Sequence, residues 1–418
     1  MSFIQKWFSV FALSACTLVL ALWMYITFDS ERTPITPLPD VPKTSSIRAA
    51  EYIPAIEQAT THLKAMMAER EIPSLSIAVA VDGETVWSEA FGYAHLENRT
   101  PASAQTQYRI GSLSKLLTAA SMARLYEEGK LDLDVPIQTY VPSFPDKGYD
   151  ITVRQLASHT SGIRPYRDDQ EAINTKRYAT VTASLEKFKD DTLFFSPGEG
   201  FVYSSYGYVL LSAAIEGASG NDFLSYVRSS VLLPLGMEST REIRADTSAP
   251  HEAASYDNET PYSLDGSTVP SPFMDFSSKW GSGGFLSTTE DLVRFGNAHI
   301  SKLNRGFLKE KTLDMMFTPV TGLGSLLGYG LGWSSIYDLR LHRTHLHFGA
   351  TSGGTAVLAI YPGPGVTIAL LANLGHARFP SNRLLNIANP FLPDPSFPVK
   401  LLFGLMIIGG WILYFRKK

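Results

Sequence analysis

Arg109-Ile-Gly-Ser-Leu-Ser-Lys115 opens an Ala- and Leu-rich run and places Ser112 three residues before Lys115. Leu116, Leu117, Ala119, Ala120, Ala123 and Leu125 recur at helical spacing and Gly129 supplies a stop, so the run predicts a helix from Ser112 to Glu128. Residues i and i+3 share one face of a helix, which lets the Lys115 amine lie beside the Ser112 hydroxyl. The positive potential of a helix N-terminus stabilises an alkoxide and helps keep a nearby amine neutral. A serine needs such activation to attack a carbonyl. Alone, the pattern is weak, because a serine at a helix start is also an ordinary N-cap. Ser184-Leu-Glu-Lys187 repeats it inside a polar stretch and reads as a solvated face.

The 418 residues are 44% hydrophobic and 18% charged with a formal net charge of -4, enough for a large core and without the basic excess of a nucleic-acid binder. Trp7 to Phe28 is apolar apart from Ser and Thr and long enough to cross a bilayer, with Lys6 before it and Asp29 and Glu31 after it. No small-x-small cleavage site ends it, so it predicts an uncleaved signal anchor and an outward-facing body. Leu401 to Phe415 is short for a span but ends in Arg416-Lys-Lys418, which fits the positive-inside rule and predicts a second membrane segment. An interfacial or protein-packed helix is the alternative.

The expected organisation is an anchor and Pro-rich linker over 1–44, a soluble body over 45–391, and a linker with the terminal segment over 392–418. This places the body at a cell membrane, on its extracytoplasmic side. The single cysteine, Cys16, allows no intramolecular disulfide. Leu13-Ser-Ala-Cys16 has the form of a lipoprotein box, yet the residues after it stay strongly apolar, and a buried membrane cysteine is the favoured reading.

Within the body, Ser74 to Val81 and Glu84 to Gly92 are β-rich runs joined by Asp82-Gly83, a hairpin signal. Thr355 to Tyr361 and Val366 to Asn373 form a second such pair, with His345 to Gly349 as the strand before them. Helices are expected at 112–128, 152–158, 206–217, 222–230 and 288–303, the last with a capping box at Ser287-Thr-Thr-Glu290. Strands, then helices, then strands argue for an α+β fold with a helical insertion. The irregular stretches Arg164 to Asp191 and Arg241 to Lys279 are expected to form lids or substrate walls.

Tyr203 precedes the apolar run Tyr206-Gly-Tyr-Val-Leu-Leu211, where a phenol could relay protons, and His347 sits on a strand with Gly349 allowing close approach to the backbone. Singly, each is also an ordinary packing residue. In order, however, Ser112-Leu-Ser-Lys115, Tyr203-Ser-Ser205 and His347-Phe-Gly349 resemble the S-x-x-K, Y-x-N and K-T-G motifs of the serine β-lactamase and penicillin-binding-protein superfamily, in particular its class C β-lactamase, D,D-peptidase and esterase branch. The resemblance spans about Glu51 to Leu374. Ile151 to Gly162, Gly281 to Thr288 and Tyr329 to Trp333 support it. Tyr256-Asp-Asn258 matches Y-x-N by letter but lacks the helix that follows Tyr203.

The resemblance implies an antiparallel sheet flanked by helices, an all-helical lobe, and a cleft between them. It implies that Ser112 forms an acyl-enzyme, that Lys115 takes its proton, and that Tyr203 protonates the leaving group or activates water. The backbone N–H groups of Ser112 and Ala350 would hold the oxyanion. No metal or organic cofactor is needed. Two departures bear on substrate. His347 stands for lysine and, at a reference pKa of ~6.5, would be about a quarter protonated at pH 7, a weaker attraction for carboxylates. Ser205 stands for asparagine, and its short hydroxyl is not expected to reach the substrate.

These readings favour a membrane-anchored serine hydrolase acting through a Ser112 acyl-enzyme on a small-molecule or peptide amide or ester, namely a D-amino-acid peptide or ester. The alternatives are a true β-lactamase or D,D-carboxypeptidase, and a non-catalytic sensor or scaffold that binds a cell-wall fragment.

Overall fold

Asp82 and Gly83 take φ of +48° and +90°, and the tight turn they make joins β2 (Ser74–Val81) to β3 (Glu84–His95), as the Asp-Gly pair predicts. The structure, a computed structural model, describes residues 41–244, 251–258, 268–322, 327–338 and 340–393. The sheet also contains β1 (Lys43–Arg48), β4 (Leu327–Tyr329), β5 (Ser334–Tyr337), β6 (Arg343–Thr351), β7 (Gly354–Tyr361) and β8 (Val366–Ala372). Its order is β1-β3-β2-β8-β7-β6-β5-β4, antiparallel throughout, so the first hairpin pairs with the last strand.

Period-two alternation divides each central strand between two cores. In β2, Ala78 and Ala80 face the helical side while Leu75, Ile77 and Val79 face the other; in β8, Ala369 and Leu371 oppose Ile368 and Leu370. Strands buried on both faces read as unbroken apolar runs, as these do. On the outer face, α1 (Ile53–Glu69) packs against α7 (Ser381–Ala388), two helices beyond the five expected segments. The insertion between β3 and β4 carries α2 (Ser114–Glu127), α3 (Val153–Ala157), α4 (Ser205–Ser219), α5 (Trp280–Gly283) and α6 (Thr289–Asn297). Of these, α6 lies on the inner face of the sheet, while α2 to α5 pack into the lobe. The α+β expectation holds in this form.

Local boundaries shift for identifiable reasons. The helix predicted from Ser112 begins at Ser114, because residues 111–113 form a 3-10 turn closed by the Ser114 hydroxyl on the Gly111 carbonyl at 2.8 Å. The expected box at Ser287–Glu290 moves one residue. Thr288 is the cap, accepting from the Asp291 N–H at 3.2 Å, while Glu290 accepts from the Ser88 hydroxyl across the sheet. The two irregular stretches are stitched together, Asn174 to Asp275 by a reciprocal pair of bonds and Tyr178 to Ser277 by one. Both expected membrane segments lie outside the described residues. No helix among the described residues is long and apolar enough to cross a membrane.

Candidate active site

Gly111 takes φ +49°, and the 3-10 turn bearing Ser112 lies flat against β6. A Cβ at Gly111 would stand 2.8 Å from the Ala350 nitrogen, and one at Gly349 would stand 2.0 Å from the Ile110 carbonyl oxygen. Only glycine at both positions lets the turn and the strand meet. Ser112 and the Ala350 backbone are thereby brought to one wall, with Ser112 half-buried and open to the cleft.

One helical turn on, Lys115 is 0% exposed. Its Nζ lies 2.8 Å from the Ser282 carbonyl oxygen, 3.2 Å from Ser205 Oγ and 3.2 Å from Ser112 Oγ. A neutral amine has two hydrogens and one lone pair, so in that form Nζ can donate to Ser282 and Ser205 and turn its lone pair to the Ser112 hydroxyl. Burial, then the nearby Lys279 cation, hold the Lys115 pKa well below that of an ordinary lysine. Lys279 is itself buried and pushed down to about 7, chiefly by burial. Ser205 thus contacts the base, and the Tyr166 hydroxyl faces Ser205 and Ser282 beside it. Ser205, at the second motif, has its hydroxyl 3.2 Å from the Lys115 amine.

Tyr203 stands at the cleft mouth, 38% exposed, with its hydroxyl facing Ser112 and its ring face 4.8 Å from the Lys115 Nζ. Its surroundings raise its pKa, chiefly through burial, so the phenol stays protonated and can donate. Its position is set by His159, which sequence reasoning did not single out. The Val202 N–H donates to the His159 carbonyl and the Ser204 N–H to His159 Nδ1, both at 3.1 Å, so one residue grips the backbone on either side of Tyr203. The His159 ring packs 4.3 Å from the Tyr203 ring, centroid to centroid, and its backbone is left-handed at φ +62°. Ser204 then caps α4. His159→Asn, which tolerates that backbone, is expected to lower kcat by about 10- to 100-fold with little change in KM, because a displaced phenol no longer meets Ser112. Steady-state kinetics with a small ester, beside an unchanged circular dichroism spectrum, checks this.

His347 overturns an expectation. It is 4% exposed, its Nδ1–H donates to the Phe348 carbonyl at 2.7 Å, and its Nε2 lies 3.1 Å from the Tyr329 hydroxyl. Burial, then Lys115, push its pKa down to about 3. The ring is neutral at pH 7 rather than a quarter protonated, and offers no charge to a carboxylate. The two look-alike motifs lie elsewhere. Ser184 is buried, not solvated, with its hydroxyl on the Val181 carbonyl, and Tyr256 donates to Glu97. Ser282, His159 and Tyr329 all fall in the three supporting phrases, which was the available signal for them; Tyr166 and Lys279 had none beyond the expectation of a wall.

The Beta-lactamase family profile matches residues 59–388. The chain belongs to the β-lactamase family. It is 32% identical over 399 residues to the human serine beta-lactamase-like protein LACTB, mitochondrial, covering 74% of this chain and 72% of that one. Among solved structures it is similar to the octameric penicillin-binding protein homologue from Pyrococcus abyssi, at TM-score 0.70 and 26% identity, covering 82% and 78% of the two chains. It is also similar to the D-amino acid amidase from Ochrobactrum anthropi SV3, at TM-score 0.66 and 26% identity, covering 81% and 96%. The protein is a serine hydrolase of this family.

Proposed function

We propose that the protein cleaves amides or esters through an acyl-enzyme on Ser112, with Lys115 as the base and Tyr203 as the proton donor to the leaving group. The observation that carries this reading is the buried Lys115 amine, which stands 3.2 Å from the Ser112 hydroxyl and has two hydroxyls and a carbonyl, but no carboxylate, as its hydrogen-bond partners. Lys115 takes the Ser112 proton as Oγ bonds to the substrate carbonyl carbon. The oxyanion lies between the N–H groups of Ser112 and Ala350. Tyr203 delivers a proton to the departing nitrogen or oxygen and is replenished from Lys115. Water then enters and the same groups run the second step in reverse, releasing the acid.

The similarity to a D-amino acid amidase supports amide substrates with a D-configured residue beside the bond cut. The neutral His347 argues against recognition of a free carboxylate at the third motif, and so against efficient β-lactamase or D,D-carboxypeptidase activity. We place the body at a cell membrane on its extracytoplasmic side, from the apolar runs at the two ends of the sequence; reporter fusions at each end test this. For the reaction, p-nitrophenyl acetate, D-phenylalanine amide and nitrocefin assayed side by side should give Ser112-dependent turnover of the ester or the amide. Nitrocefin should be cleaved at least about 100-fold more slowly. Nitrocefin as the best of the three would reverse the substrate assignment.

A further inference from the structure

The outer face of the sheet is apolar well beyond the reach of α1 and α7. Pairing across β5, β6, β7 and β8 aligns Leu346, Phe348, Val357, Ile368 and Leu370 on that face, and they floor a cavity of about 810 Å³. Leu384 and Ala388 of α7 line it, and so do Phe201 and Tyr329.

Phe201 and Tyr329 also border the catalytic cleft. Tyr329 lies against His347, and Phe201 packs edge-on to His159 with ring centroids 6.0 Å apart. The strand pairing explains the opening: β5 pairs with β6 only from Arg343 to Leu346, so His347 to Ala350 keep a free edge on that side among the described residues. Phe348, 50% exposed, stands on the trough side of this edge, two residues from the expected oxyanion donor Ala350.

We infer that the trough holds the linear hydrocarbon chain of an acyl substrate whose carbonyl is presented to Ser112. The inference rests on the hydrolase reading above and names the substrate class for it. Its lining selects against polar occupants. The one charged side chain on it among the described residues, Asp338, is already engaged by His342 Nδ1 and by the backbone N–H groups of Arg340 and His342. A chain lying there leaves water along its whole length, while its only reactive end meets the nucleophile. The bond cut is the acyl C–O or C–N bond; the acyl group passes to Ser112 and then to water, and the alcohol or amine departs with a proton.

The test is a series of p-nitrophenyl esters from acetate to dodecanoate, each below its micelle concentration, with the full chain and with Ser112→Ala as the blank. Burial of each methylene is expected to raise kcat/KM by roughly two- to fourfold, mostly through KM, giving at least about a sixtyfold gain over the six methylenes from acetate to octanoate. Phe348→Asp, at a half-exposed site, should cut the octanoate-to-acetate ratio by at least about tenfold. Leu346→Trp, which fills the trough instead of charging it, should do the same, so the conclusion does not hang on one variant folding. A flat series in the full chain, or ratios unchanged in both folded variants, overturns the acyl-chain assignment while Ser112-dependent acetate hydrolysis leaves the hydrolase reading standing. Absence of Ser112-dependent hydrolysis of every ester, with no Ser112 adduct, overturns both.

Discussion

Lys115→Met is expected to lower kcat/KM by about 10³- to 10⁴-fold and yet to raise the thermal midpoint at pH 7 by about 3 °C or more. The loss follows from removing the amine that stands 3.2 Å from the Ser112 hydroxyl. The gain follows from burial. Lys115 sits wholly out of water, and none of its close contacts is a carboxylate. Folding must strip its proton or enclose a charge, and either costs stability. Methionine keeps the length and apolar volume without that cost, at the loss of hydrogen bonds worth about 1 kcal/mol each. The linkage has a definite sign. The folded pKa is lowered, so between it and the unfolded value the unfolded chain binds more protons, and wild-type stability rises with pH across that window. The midpoint advantage of Lys115→Met should therefore shrink from pH 7 to pH 9. Paired calorimetry at both pH values checks it; a variant less stable than wild type at pH 7 would mean that the amine is a structural asset instead of a strained base.

Acidification should unfold the protein near pH 5. His299, His345 and His347 are buried with pKa values pushed down to about 4, about 3 and about 3, in each case mainly by burial, and His159 is lowered well below its usual value too. A folded pKa below the unfolded ~6.5 means that the unfolded chain takes protons first as pH falls. The stability these neutral rings sustain is complete above pH 6.5 and drains below it. By pH 5 each of the three costs roughly 2 kcal/mol, so together they consume about 6 kcal/mol, comparable to the whole stability of many domains. His299 is the cleanest probe, since it lies away from the cleft and its Nδ1 donates to the Phe295 carbonyl at 2.8 Å. His299→Gln retains a donor and cannot become charged, and it should move the acid midpoint downward. Fluorescence-monitored titration of both proteins reads this; an unchanged midpoint would remove His299 from the account.

How much was legible in the sequence depended on the range of the forces involved. The Asp82-Gly83 turn, the apolar strands and the Ser112–Lys115 pairing are set by local backbone preference and periodicity, and they emerge where expected. The placement of Tyr203 was legible only as a letter in a motif. Its physical cause is His159, 44 residues earlier, acting through a left-handed backbone that no local pattern announces. His347 illustrates the opposite error. Its type and strand were readable, but its charge depends on desolvation by neighbours from β4 and the lobe, which spacing along the chain does not encode. The contact of Ser205 with Lys115 is likewise invisible in the motif, because the packing of α2 against α4 brings the two together.

The central claim is that Ser112 is the nucleophile and Lys115 its base. Intact-mass analysis after exposure to a fluorophosphonate probe tests it most directly. One adduct per chain is predicted, mapping to Ser112, absent in Ser112→Ala and formed at least about 10³-fold more slowly in Lys115→Met. An adduct that persists in Ser112→Ala, or wild-type protein that stays unmodified while folded, would contradict the account.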